Sequence, residues 1–109
     1  MSITAAQRLH MDSGETRNVK VGFLDKLDSG ELLSGTPTVT VSPTGPTISN
    51  VGRNTTALTI DGESHAINQA VTYTITGGTA GVEYTYTVTC GTDATPAQTL
   101  IGKCVVYVI

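Results

Sequence analysis

Apolar positions in this chain recur at every second residue, in short runs separated by turn-forming residues. NVKVGFLD sets Val19, Val21 and Phe23 on one face of an extended segment. TPTVTVSP does the same with Val39 and Val41, and Pro37 and Pro43 bracket it, which suits a strand whose ends need not supply every ladder N–H. Short strands follow around Ile48 and around Leu58 and Ile60, then a return strand through His65 and Ile67, then QAVTYTIT with Val71, Tyr73 and Ile75. The longest alternation is AGVEYTYTVTC: Val82, Tyr84, Tyr86, Val88 and Cys90 share one face and threonines take most of the other. QTLIGKCVVYVI closes the chain. Between the first two runs, LDKLDSGELLSG (24–35) loses the alternation. Its Asp-Ser-Gly and Ser-Gly pairs read as turns, with Leu27, Leu32 and Leu33 tucked under a sheet edge. Seven to eight short strands at roughly ten-residue spacing predict a β-sandwich.

Composition reinforces the class. About a fifth of the residues are threonine, there is no tryptophan, and no 3.6-period segment of useful length occurs. β-Branched side chains are restricted at χ1, which disfavours helix and suits a half-buried pleated surface. With 109 residues the chain is one domain's worth. Residues 1–17 are polar and irregular and read as an N-terminal arm, either frayed or ordered by a partner; 18–109 form the sandwich.

Three local signals refine the fold. Asp61-Gly62 after Ile60 is the dipeptide of a two-residue type I′ hairpin turn, where both central residues take positive φ. Glycine, two residues, then Tyr84 leading into an alternating strand is the arrangement of a tyrosine corner, in which the phenol tip bonds backbone upstream. That makes AGVEYTYTVTC the penultimate strand of an immunoglobulin-like (fibronectin-type) sandwich. Cys90 and Cys104 lie on adjacent hairpin strands; with the turn near Ala94–Pro96, Cys90 faces Thr99 to Leu100 and misses Cys104 by about four residues, or ~13 Å. A bridge needs Cα atoms within about 7 Å. Both therefore read as buried free thiols, which fits a cytoplasmic origin.

Net charge is −3, from six basic and nine acidic residues, which speaks against nucleic acid as a partner. No apolar run approaches the ~20 residues of a membrane span. Catalysis needs a nucleophile, base and orienter, or a metal shell, and the sequence offers neither. His10 falls in the arm and His65 in a hairpin, both read as solvated or edge-facing. Asp25, Asp28 and Glu31 are the best acidic cluster; a calcium turn is conceivable, but a solvated turn whose carboxylates bond nearby N–H groups is the ordinary reading. No enzyme, cofactor or metal is expected.

The acidic turn LDSGE, the run SGTPTV, GGTAG before the penultimate strand, and QTL leading into an alternating last strand follow one another in a specific order over residues 17–109. In that order they resemble a family of small tailed-bacteriophage virion proteins with an immunoglobulin-like domain, described as fibre–tail adaptors or head decoration proteins. Relatives carry few or no cysteines, so Cys90 and Cys104 are departures. The resemblance implies a virion component, assembled in the bacterial host cytoplasm, that docks on phage capsid, neck, tail or fibre proteins and allows a homo-oligomer; adaptor and decoration roles stay open. Docking by edge-strand addition is one route. CVVYVI, apolar on both faces, is either such an edge or a strand covered on both sides. A carbohydrate- or surface-binding module is the alternative, and exposed rings at Tyr73 or Tyr107 would favour it.

Overall fold

The computed structural model describes residues 2–4, 8–60 and 62–109, with side chains from Leu9 onward apart from Asp61. Ten strands are described: β1 (Ser2–Thr4), β2 (Arg8–Met11), β3 (Thr16–Gly22), β4 (Leu33–Ser42), β5 (Thr47–Arg53), β6 (Leu58–Ile60), β7 (Glu63–His65), β8 (Ala70–Thr76), β9 (Glu83–Thr92) and β10 (Thr99–Val108). A 3-10 turn, Leu24–Lys26, follows β3. The protein is all-β. Two four-stranded sheets, ordered β1-β3-β8-β5 and β2-β10-β9-β4, pack as a sandwich, and β6 and β7 form a separate hairpin.

Alternation explains the core. In β9 every even residue from Tyr84 to Cys90 is buried, while Thr85, Thr87 and Thr89 on the other face are partly exposed. β8 buries Val71, Tyr73 and Ile75 and turns Thr72, Thr74 and Thr76 outward. β3 contributes Val19 and Val21, and Phe23 beyond its end lies over Gly102 of β10, where a Cβ would come within 3.1 Å of its ring. Burying a valine, leucine or phenylalanine side chain contributes about 1.5–3 kcal/mol, so the continuous inner face holds the two sheets together.

The structure departs from the sequence reading in four places. Residues 8–11, assigned to an irregular arm, form β2 and pair in parallel with Val105–Val108 of β10. Leu9 and Met11 are in the core, at 8% and 3% exposure. With β1, which pairs in parallel with β3, this raises the strand count above seven or eight. The reason for the miss is physical: a four-residue parallel strand carries two core side chains, too few for a periodic signal, and its partner is at the opposite end of the chain. Second, β4 begins at Leu33, inside the segment read as turns, and runs through Pro37 by way of a bulge between Ser34 and Thr38. A bulge is where a strand tolerates proline. Third, the strand expected through His65 and Ile67 stops at His65, and Ile67 is exposed. Fourth, His65 is 1% exposed rather than solvated or edge-facing, because its ring packs on Gly22, where any Cβ would collide with the imidazole.

Because β2 belongs to the core, Met11→Ala should lower stability by about 2–4 kcal/mol in urea unfolding. A dangling arm would give no change.

Candidate functional site: the sheet edges and the loops that frame them

At the β9 entrance, the Tyr84 hydroxyl accepts the Thr79 N–H at 2.8 Å. Glycines make room for the ring: a Cβ on Gly45 would sit 3.4 Å from the hydroxyl, and one on Gly78 would press to 3.1 Å against the ring and 2.9 Å against Val108. Gly78 also has φ +115°, a region costly for other residues. Tyr84 thereby ties the loop after β8 to the loop after β4. In the hairpin, Ile60 pairs with Glu63, leaving a two-residue turn. Gly62 has φ +79°, and Asp61 lies outside the described residues.

Cys90 and Cys104 are buried and free. Cys90 is opposite Leu100 and Cys104 opposite Tyr86. Burial pushes both thiols up, Cys104 to about 11. The Cys104 thiol faces the Tyr73 phenol, whose own titration is driven far up by burial and then by the neighbouring thiol. These thiols hold their protons and are poor nucleophiles.

The turn carboxylates serve the fold. Glu31 is 7% exposed. Its Oε1 accepts the Asp28 N–H at 2.9 Å; its Oε2 accepts the Thr92 hydroxyl at 2.7 Å and the Gln98 amide at 3.1 Å. Gln98 also donates to Asp28 at 2.9 Å, and Asp93 accepts the Leu32 N–H at 2.8 Å. This network clips the turn before β4 onto the β9–β10 loop. Among the described residues, no group of three or more His, Cys, Asp or Glu is placed to hold a metal ion. His65 has Nδ1 3.2 Å from the Glu63 carbonyl and Nε2 3.7 Å from its carboxylate, while His10 is exposed and meets the Tyr107 ring edge-on at 5.9 Å. Tyr73 is buried and Tyr107 half-buried.

Sequence reasoning also missed Asn54, 3% exposed between β5 and β6. Its Oδ1 accepts the Gln69 and Ala70 N–H groups, both at 3.0 Å, and its Nδ2 donates to the Thr56 and Ala66 carbonyls at 2.9 and 2.7 Å. An asparagine in a turn-rich segment gives no local sign of such a role.

The sheets end in four edge strands, β1, β5, β2 and β4. The C-terminal strand is not one of them: β10 has β9 on one side and β2 on the other over Val105–Val108. Below that, Lys26 donates to the Ile101 carbonyl at 2.6 Å. On β4, Arg53 covers the early part, donating to the Gly35 carbonyl at 2.8 Å and bonding Asn68 at 2.9 Å. Beyond the bulge, Thr38–Ser42 pairs with β9 on one side and, among the described residues, has no strand on the other. β5 is broken by its own bulge between Ser49 and Gly52, with Asn50 at φ +54°.

A family model described as podophage GP4 fiber-tail adaptor protein gp77 matches residues 11–101. The chain belongs to this family. No curated protein matches it. The family is one of structural adaptors joining a phage tail and fibre, so the chain is a structural virion component associated with tail and fibre proteins. The match begins at Met11, the last residue of β2, and ends at Ile101, within β10.

Two predictions test this adaptor's frame. Tyr84→Phe leaves the Thr79 N–H without its acceptor and should cost about 1–2 kcal/mol in thermal or denaturant unfolding. For the thiol, the unfolded chain releases its proton near pH 9 whereas folded Cys104 holds it to about 11. Its contribution is therefore complete below pH 9 and is lost as pH rises through 11. Tyr86, raised by burial to about 12, extends the fall. Unfolding free energy measured from pH 8 to 11 should decline less steeply in Cys104→Ala than in wild type, by on the order of 2 kcal/mol over that window.

Proposed function

We propose that this chain is a non-enzymatic adaptor with an immunoglobulin-like fold that docks a fibre to the neck or tail of a tailed phage. The family match over 11–101 carries the reading. The strand order supports the fold assignment: β1-β3-β8-β5 facing β4-β9-β10 is the ABED/CFG order of a constant-type immunoglobulin sandwich, with β2 added beside the last strand. Tyr84 stands near the start of the strand equivalent to F and bonds upstream backbone, as a tyrosine corner does. Two residues on, where antibody domains carry the second cysteine of their inter-sheet disulfide, this chain has Tyr86. That ring is buried and meets Tyr73 of the facing sheet.

What such a body offers a partner is shape and backbone. Glu31 is engaged in holding loops, His65 is buried against Gly22, and the two thiols are buried with their titration pushed up. Open hydrogen-bonding groups along the sheet edges suit strand addition, which gives affinity through main-chain bonds. A sugar-binding module is the weaker reading, since Tyr73 is enclosed in the core and Tyr107 is half covered. A capsid decoration protein differs from an adaptor in number of copies.

Quantitative mass spectrometry of purified virions separates these roles. An adaptor should be present at the copy number of a ring, on the order of ten per particle. Hundreds of copies would make it a shell decoration, and absence from the particle would remove the virion role.

A further inference from the structure

We infer that the second half of β4 is a self-complementary edge through which two copies of this chain pair about a two-fold axis at Thr40. The sequence there is Pro37-Thr38-Val39-Thr40-Val41-Ser42-Pro43, which reads nearly the same from either end. In an antiparallel pair centred on Thr40, Thr38 lies opposite the second copy's Ser42, Val39 opposite its Val41, and Thr40 opposite itself. Opposed residues share a face. Thr38, Thr40 and Ser42 are exposed, and Val39 and Val41 pack against the core. The pairing therefore keeps every hydroxyl outward and every valine inward, joining the two β2-β10-β9-β4 sheets into one eight-stranded sheet. Pro37 falls opposite Pro43, and since neither has an N–H, the ladder ends at five residues on both sides.

Charge distribution carries the inference independently. All six basic and nine acidic residues lie outside positions 32–52. That interval contains the whole of β4 and all of β5 but Arg53. Proteins keep exposed strand edges from pairing by placing charges, especially lysine, along them. Here the long edge has none, and a chain of net charge −3 meets its copy across a neutral seam. The usual protections are instead confined to the flanks. Arg53 and the Ser34/Thr38 bulge close the early part of β4, and a bulge interrupts β5. No other strand or side chain bonds the free side of Thr38–Ser42 among the described residues.

A five-residue seam flanked by β5 is small beside the ~1,200–2,000 Å² of a stable interface, so the dimer is weak in free solution. The pairing stands apart from the choice between adaptor and decoration roles, because it is read out on the isolated protein.

Register-specific cross-linking tests it. Paired Cα atoms sit about 4.5–5.5 Å apart, within disulfide reach, so Thr40→Cys should give a covalent dimer under mild oxidation. In Thr38→Cys the two thiols are four residues, ~13 Å, out of register and should cross-link at least ~10-fold more slowly. Wild type, with its buried Cys90 and Cys104, should give none. Sedimentation of wild type from 10 μM to ~1 mM should show reversible dimerisation that Thr40→Lys, two like charges opposed at the axis, abolishes without shifting the melting temperature. Monomer throughout with no Thr40→Cys dimer, equal cross-linking of Thr38→Cys, or undiminished association of Thr40→Lys would each overturn the proposal. The cross-linking comparison stands even if the lysine variant folds poorly.

Discussion

Two tyrosine rings from opposite sheets, Tyr73 of β8 and Tyr86 of β9, meet at the middle of the sandwich with centroids 6.1 Å apart. The chain has one phenylalanine and no tryptophan, so this pair is the bulk that sets the distance between the layers at their centre. An aromatic pair of this kind contributes about 0.5–1.5 kcal/mol beyond the area it buries. Among the described residues the Tyr73 hydroxyl has no oxygen or nitrogen partner, and it faces the Cys104 thiol, a soft group that tolerates a phenol tip better than an aliphatic carbon would. Around this plug the core is mostly valine with leucine and Ile75, joined by Met11, Phe23, Tyr84 and the two cysteines.

The same packing decides what the surface offers. Inner faces filled by the even residues of β9 leave threonines outside, and hydroxyls bonding along the sheet, as between Thr16 and Thr76 at 3.2 Å or Thr74 and Asn18 at 2.9 Å, make stiff polar faces. Stiffness suits a structural adaptor, since recognition by a preformed surface loses little entropy on binding. Loops are fastened by the same economy of means. Glu31 clips the turn before β4 to the β9–β10 loop, Asn54 gathers the segment between β5 and β8, and Tyr84 joins two loops at the opposite end of β9. Each of these side chains is bonded to backbone or to a neighbouring polar group and is spent on holding loops.

How much of this was legible in the chain depends on how local each cause is. Side-chain parity is local: Tyr84, Tyr86, Val88 and Cys90 share a face because successive residues of a strand point opposite ways, and the sequence determined that without reference to any partner. The separation of Cys90 from Cys104 was legible for the same reason, since a hairpin turn between them sets the register. The all-β class and the long strands β8, β9 and β10 followed from alternation and from threonine. Tertiary structure alone decided which edges are open. β2 covers the last four residues of β10 through a parallel contact between residues 8–11 and 105–108, nearly the full length of the chain apart, and so short a strand holds too little pattern to announce it. Burial of His65 and Glu31 was also a tertiary outcome: one needs Gly22 of a distant strand to leave room, the other needs Thr92 and Gln98 to satisfy its carboxylate. A residue's face is written in its neighbours along the strand, but its coverage is set by segments that only the folded chain brings beside it.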